Sequence, residues 1–126
     1  MDGTDLTHRV IGCAIDVHYD LGPGLLEAIY EDCLCEELSR AGVTYARQVE
    51  VPLVYRGRDL SRRFRIDLIA EGSLIIEIKS LPHIMPVHEA QLESYLRLSG
   101  VGLGLLLNFN VARLRDGIRR RTRRST

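Results

Sequence analysis

Apolar residues in the first third of the chain recur every three to four positions, which is the spacing of an amphipathic helix. This pattern predicts one helix over Leu6–Leu21 and a second over Leu25–Ala41. Gly22-Pro23-Gly24 separates them, because glycine and proline both interrupt helices. Gly42 is a typical residue at which the second helix would end.

Beyond residue 42 the pattern changes to the alternation and short apolar runs that are typical of strands. Strands are predicted over residues 43–55, 60–70, 74–79 and 101–109, and a third helix over Val87–Ser99. The third strand is apolar on both faces, which indicates a central position. Residues 110–126 are predicted to hold a loop, a candidate short strand near Gly117-Ile118 and an arginine-rich tail. The order ααβββαβ predicts an α+β, sandwich-like domain in which helices flank a mixed β-sheet.

Size and composition fit a single domain, 1–126, because 126 residues and 14.2 kDa support one hydrophobic core. No apolar run approaches the roughly 20 residues of a membrane helix. Residues 1–5 lack the basic and then apolar order of a signal peptide. The three cysteines are not in a metal-binding spacing. We therefore expect a cytoplasmic protein with no membrane partner and no small-molecule cofactor.

Charge is distributed unevenly although the formal net charge is zero. Residues 1–37 contain nine acidic residues and one arginine, whereas residues 113–126 contain seven arginines and one aspartate. A basic tail at about 119–126 can bind the phosphate backbone of a nucleic acid. The alternative is a solvated chain terminus that pairs with the acidic helices.

The only lysine of the chain, Lys79, lies at the end of the third predicted strand, two positions after Glu77. Side chains two positions apart on a strand share a face. All other basic residues, apart from the histidines, are arginine. A single lysine in such a chain suggests a position that requires a compact ammonium group rather than a planar guanidinium.

A three-residue turn at 71–73 would pair Ala70 with Leu74 and, three positions further along each strand, Asp67 with Glu77. The β-carbons of such partners lie roughly 4.5–5.5 Å apart. Two carboxylates at that distance repel, so either one is protonated or a cation lies between them. Lys79, Arg65 and a divalent metal are the candidate cations, and oxygen ligands favour Mg²⁺ or Mn²⁺. A buried ion pair without catalysis is the alternative.

Two helical pairs can add polar groups to this site. Glu27 and Tyr30 are three positions apart on the second helix, and Gln91 and Tyr95 are four apart on the third, so each pair shares a face. Glu27 can point inward to the sheet, or it can serve only to stabilise the helix dipole from the first turn. The pair on the third helix can equally lie on the solvent-exposed surface.

Two arginines precede the aspartate on the second strand. Arg63 and Arg65 share the face of Asp67 if the strand is regular. They are candidates for contacts with a phosphate backbone, or they belong to a solvated strand end.

In combination these residues resemble the PD-(D/E)xK nuclease superfamily, and within it the small stand-alone group named for a GxxExxY signature. The resemblance spans roughly residues 6–120. It consists of the following motifs, in order: Gly24-x-x-Glu27-x-x-Tyr30, Asp67, Glu77-x-Lys79 and Gln91-x-x-x-Tyr95. The proline that the superfamily name places before the aspartate is absent, and Ile66 stands there.

The resemblance implies a restriction-endonuclease-like core that hydrolyses phosphodiester bonds with Mg²⁺ or Mn²⁺. By analogy, Asp67, Glu77, Glu27 and the backbone carbonyl of Ile78 would bind the metal, and Lys79 would position or activate water. The residues implied to contact nucleic acid, most simply DNA, are Gln91, Tyr95 and Tyr30, together with the candidate arginines Arg63 and Arg65.

Two further expectations concern partners. A protein that keeps this fold could bind nucleic acid or another protein without catalysing hydrolysis, and we keep that alternative open. A small core with a sheet edge on each side also makes a homodimer an expectation.

Overall fold

The computed structural model describes residues 3–123, and side chains from residue 5 onward. Its three helices are α1 (Gly3–Leu21), α2 (Glu27–Arg40) and α3 (Pro86–Ser99). Its five strands are β1 (Tyr45–Tyr55), β2 (Arg58–Ala70), β3 (Leu74–Lys79), β4 (Leu103–Asn108) and β5 (Ile118–Thr122), with a 3₁₀ turn over Leu114–Gly117. None of the described helices is long and apolar enough to cross a membrane.

The strands form one mixed sheet in the order β1-β2-β3-β4-β5. Neighbours pair antiparallel except β3 and β4, which are parallel and are connected through α3. Parallel neighbours require such a crossover, whereas hairpins join the antiparallel ones. The predicted α+β class with a mixed sheet between helices is confirmed, and it is consistent with a restriction-endonuclease-like core. The predicted order ααβββαβ gains one strand, β5, which begins at Ile118, where a candidate short strand was predicted.

Two separate apolar clusters cover the two faces of the sheet. One lies under α1 and α2 and includes Tyr30, Leu34 and Ile76. The other lies under α3 and includes Leu92 and Leu106. β3 contributes to both, so its apolar character on both faces reflects a central position, as predicted.

A glycine sets the distance between α3 and the sheet. A β-carbon added to Gly104 on β4 would lie 2.7 Å from Cδ1 of Leu92 and 3.3 Å from Cδ2 of Leu96. Two α3 leucines therefore occupy the space that any larger residue at this position would need, and α3 packs directly on the β4 backbone.

β5 corrects the prediction of a basic tail that starts near residue 119. Arg119 and Arg121 are strand residues whose guanidinium groups reach acidic residues of α3. Arg121 lies 2.6 Å from Glu89 and 3.4 Å from Glu93, and Arg119 lies 3.5 Å from Glu89. These arginines therefore pair with α3 rather than with the acidic amino-terminal helices. Residues 124–126 of the predicted tail lie outside the described residues.

Candidate active site

The register between β2 and β3 is the one that the turn length predicts. Leu68 pairs with Ile76, Ile69 with Ile75 and Ala70 with Leu74. The ladder ends after these three pairs, and the next residues outward are Asp67 and Glu77. The predicted register is confirmed, and the two acidic residues lie where the regular pairing of the strands stops.

Side-chain hydrogen bonds replace the backbone ladder beyond that point. The amide of Ile78 donates to Oδ2 of Asp67 over 2.8 Å, and the amide of Asp67 lies 3.4 Å from Oε1 of Glu77. The carbonyl of Lys79 accepts a hydrogen bond from the Phe109 amide on the β4 side. Because successive peptide groups of a strand point to opposite edges, Ile78 directs its carbonyl towards β2, the edge at which Asp67 lies.

Glu77 is nearly inaccessible to solvent, with 4% of its surface exposed. Burial and the adjacent Asp67 charge raise the pKa of Glu77 to about 9, and the charge of Lys79 offsets only part of that rise. A second negative charge is therefore costly here, and a cation between the two carboxylates would remove the cost. The donors are oxygens, which suit a hard divalent ion.

α3 brings the predicted glutamine and tyrosine to the same face of the sheet. Nζ of Lys79 donates to Oε1 of Gln91 over 3.3 Å. The Tyr95 ring packs on the apolar cluster under α3 and lies 6.0 Å from Phe64 between ring centroids. Burial, followed by the charges of Glu77 and Asp67, raises the pKa of Tyr95. Asp67, Glu77, Lys79, Gln91 and Tyr95 thus form one cluster, which we call the carboxylate cluster.

The start of α2 is fixed to the end of β3 by a network around Tyr30. The hydroxyl of Tyr30 donates to the Gly22 carbonyl over 2.6 Å and accepts from the Leu25 amide over 3.1 Å. Its ring stacks on Phe109 with 4.5 Å between centroids. Oγ of Ser80 donates to the Leu25 carbonyl over 2.6 Å. Tyr30 is fully buried, so the predicted contact of its ring with nucleic acid does not fit, and its place is in the core.

Glu27 opens α2 and is exposed. The network around Tyr30 holds this first turn next to Ser80, the residue that follows Lys79. Glu27 itself does not point inward to the sheet, which was one of the two predictions for it. Among the described residues, no group of three or more histidine, cysteine, aspartate or glutamate side chains could hold a metal. The structure brings Asp67 and Glu77 together at the edge of β3 to which the Ile78 carbonyl points.

Next to Asp67, the side-chain alternation of both strands of the β1–β2 hairpin is interrupted, so that residues two positions apart face opposite sides of the sheet. In β2, Leu68 belongs to the cluster under α1 and α2, whereas Ile66 belongs to the cluster under α3, although the two are only two positions apart. In β1 the same reversal separates Tyr45 from Val49. Gln48 lies between these two residues with a φ of 49°, in the left-handed region that most residues avoid.

A polar network that the sequence did not predict holds this irregularity. Glu31 on α2 is 7% exposed. Its Oε2 accepts hydrogen bonds from Arg47 over 2.8 and 3.1 Å, and its Oε1 accepts one from Gln48 over 2.9 Å. The flanking pairs Arg47–Leu68 and Val49–Ile66 keep a constant register, which places Gln48 opposite Asp67. Glu31 therefore fixes the β1 residue that faces the aspartate.

The reversal also moves the two candidate arginines. Phe64 lies 6.0 Å from Tyr95 between ring centroids, and Ile66 is on the same side under α3. Arg63 and Arg65 alternate with them and point to the opposite face. The expectation that they share a face with Asp67 assumed a regular strand and is wrong for that reason. Both are exposed, which leaves them accessible to a ligand and removes Arg65 as a candidate cation between the carboxylates.

A second unpredicted contact fixes the loop after Lys79. Asn108 at the end of β4 is 1% exposed. Its Oδ1 accepts from the Leu81 amide over 2.9 Å, and its Nδ2 donates to the Leu81 carbonyl over 3.1 Å. Both buried polar groups of the side chain are satisfied by the loop backbone, so β4 holds the chain as it leaves the carboxylate cluster.

The carboxylate cluster thus combines two neighbouring acidic residues at the end of a ladder, a lysine two positions after the second of them, and a glutamine and a tyrosine on the covering helix. The family model of the PD-(D/E)XK nuclease superfamily matches residues 4–121. Comparison with curated proteins and with solved structures gave no significant match. The matched segment covers nearly all of the chain and contains every residue of the carboxylate cluster. The chain belongs to the PD-(D/E)XK nuclease superfamily.

Proposed function

We propose that this protein is a Mg²⁺- or Mn²⁺-dependent nuclease of the GxxExxY group that hydrolyses phosphodiester bonds in DNA. Superfamily membership supports nuclease activity in general. The main support for an intact site is the pair Asp67 and Glu77, held together by hydrogen bonds across the end of the ladder beside Lys79. Because ionisation of both carboxylates is costly, the pair is suited to binding a cation.

In this proposal Asp67, Glu77 and the Ile78 carbonyl hold the ion. Glu27 supports it from the solvent side at the start of α2. The chemistry that Mg²⁺ or Mn²⁺ supplies when bound is neutralisation of phosphate charge and a lower pKa for water. The protein contributes a buried position for Glu77, because β3 is buried on both faces, and holds the partly exposed Asp67 next to it through backbone hydrogen bonds.

Lys79 is the proposed catalytic cation of the chain itself. Its hydrogen bond to Gln91 orients the ammonium group along the face on which Glu77 lies. From there it can position a water molecule and stabilise negative charge that develops on the phosphate. Lysine suits this role as a compact charge with three rotatable donors. Gln91 and Tyr95 are the proposed contacts near the scissile phosphate, and Arg63 and Arg65 are proposed backbone contacts further out.

Cleavage assays test this function directly. Purified protein is incubated with single-stranded, duplex and flapped DNA, and with RNA, in Mg²⁺ or Mn²⁺ and in EDTA. We expect metal-dependent cleavage of DNA, and a loss of at least about 100-fold in Lys79→Ala, the scale of a removed charge-stabilising donor. Variant and wild type are purified identically, so that a contaminating nuclease would give equal rates. Equal cleavage by Lys79→Ala would show that the assignment is wrong.

The exposure of Glu27 favours a second candidate, a nucleic-acid-binding module without hydrolysis, because only two side-chain carboxylates then meet at the site. Salt-dependent DNA binding without cleavage, unchanged by EDTA and by Asp67→Asn, would support it. Homodimerisation through a sheet edge stays a prediction.

A further inference from the structure

The β1–β2 hairpin extends well past the sheet. β2 pairs with β3 only over Leu68–Ala70, whereas it pairs with β1 as far as Arg58 and Tyr55. We call residues 50–65, the part beyond the β3 ladder that carries the turn, the arm. Its turn residues Arg56 and Gly57 both have positive φ, 51° and 76°, which matches the twist of a tight hairpin. The arm is therefore a two-stranded ribbon that projects from the end of the sheet where Asp67 lies.

The arm is strongly basic on its surface. It contains five arginines and two acidic residues. Asp59 is occupied by Arg63 and by the Ser61 amide. Arg58 and Arg62 are exposed, and no ion pair within residues 3–123 involves either of them. A solvated protein surface gains little from such a concentration of like charge, which points to an anionic ligand.

The base of the arm rests on the carboxylate cluster. Phe64 lies 6.0 Å from Tyr95 between ring centroids. Its cross-strand partner Val51 packs, like the adjacent Val49, on the cluster under α3. The position of the arm is thus fixed relative to Glu77 and Asp67. Arg58 lies nine positions before Asp67, at most about 30 Å away at about 3.3 Å per strand residue. That reach is close to one turn of B-form DNA, about 34 Å.

We propose that the arm lies along duplex DNA and that Arg58 and Arg62 contact its phosphates within one turn of the bond at the carboxylate cluster. This inference rests on the proposed nuclease function and adds the form of the substrate. A two-stranded ribbon fits the major groove of B-DNA, whereas the major groove of duplex RNA is too narrow to admit it. Single-strand binding requires a row of aromatic side chains for stacking, and the arm exposes one, Tyr55.

The test compares two double variants that remove equal charge. Arg58→Ser/Arg62→Ser changes the arm. Arg40→Ser/Arg115→Ser changes an exposed residue at the carboxyl end of α2 and one in the 3₁₀ turn. The 3₁₀ turn packs through Leu114 on the face of the sheet opposite to α3. All four positions are exposed, so the variants are expected to fold, which circular dichroism and thermal melting verify. Affinity for a fluorescent 20-base-pair DNA, a single strand and a duplex RNA is measured by anisotropy in EDTA at 50–200 mM salt.

Each phosphate contact contributes about 0.9 to the slope of log affinity against log salt. The arm variant is expected to lose about 1.8 from the slope on duplex DNA, so that wild type loses about twelvefold more affinity than the variant between 50 and 200 mM salt. The control variant is expected to keep the wild-type slope. Equal slopes for all three proteins on duplex DNA, or a larger arm effect on single-stranded DNA or on duplex RNA, would overturn the inference.

The two proposals fail in different ways. Arm-dependent duplex binding without metal-dependent cleavage would support the arm as a duplex-binding element and refute the nuclease function. Metal-dependent cleavage together with a wild-type salt slope in the arm variant would refute the proposed role of the arm and leave the nuclease function in place.

Discussion

Glu77→Gln is expected to make the metal-free protein more stable above neutral pH, although it removes a residue of the proposed site. Burial and the Asp67 charge raise the pKa of Glu77 from 4.5 to about 9 in the folded protein. Between these values the folded state holds a proton that the unfolded state has released. Stability that is fully present below pH 4.5 is therefore lost as pH rises towards 9. Glutamine resembles the protonated acid and does not titrate, so it avoids this loss.

The expected magnitude follows from proton linkage. Within this pH window each pH unit costs wild type about 1.4 kcal/mol relative to the variant. Between pH 6 and pH 8 the advantage of Glu77→Gln in the free energy of unfolding should thus grow by about 3 kcal/mol. Urea denaturation in EDTA at pH 6, 7 and 8 measures it, and constant m-values verify that the same unfolding transition is compared.

The control is Glu50→Gln on β1, where the glutamate is exposed and removal of its charge should change stability by no more than about 0.5 kcal/mol at every pH. Parallel pH profiles for wild type and Glu77→Gln would refute the argument, since Glu77 would then be ionised in the folded state without cost. Mn²⁺ should restore stability to wild type at pH 8 by binding only the folded state, and should restore little to the variant.

Two further changes test the scaffold around the site. Glu31→Gln leaves Arg47 and Gln48 without their buried anion and should lower the free energy of unfolding by about 2 kcal/mol, measured by denaturation. It should also weaken Mn²⁺ binding, measured by electron paramagnetic resonance. The control is Asp32→Asn: Asp32 contacts the same guanidinium from an exposed position, so its loss should cost less than about 1 kcal/mol. Gly104→Ala, whose β-carbon would meet Leu92, should cost about 1–3 kcal/mol in the same assay, whereas Gly102→Ala, with nothing within 4 Å, should cost little.

The sequence predicted the central pair of the site because local rules determine it. A three-residue turn and a buried strand fix the β2–β3 register, since a slip by one residue would expose apolar side chains. That register places Asp67 next to Glu77. The resemblance added Gln91, whose contact with Lys79 depends on how α3 crosses the sheet and cannot be read from spacing.

Other features were missed because they depend on contacts between distant segments. The left-handed Gln48 is stabilised by Glu31, 17 positions earlier on α2, and no periodicity marks it. Of β5, only a candidate short strand near Gly117-Ile118 was predicted, because a run of arginines lacks the alternation of a strand. Pairing with β4 and contacts with the acidic residues of α3 determine its extent. Tyr30 matches a signature that suggests ligand contact, yet its hydroxyl hydrogen-bonds the loop before α2 and its ring packs in the core.

Glu77 and Glu31 are both buried acids, but the structure predicts opposite signs for their removal. Glu31 has its charge matched by Arg47 and its oxygens occupied by hydrogen bonds, so its loss leaves partners unsatisfied. Glu77 faces another carboxylate, so in the absence of a cation its loss relieves repulsion. A scaffold selected for stability alone would not retain the second arrangement, whereas functional sites commonly retain such costs. The two variants therefore distinguish Glu31, which stabilises the fold, from Glu77, which the fold holds at a cost in stability.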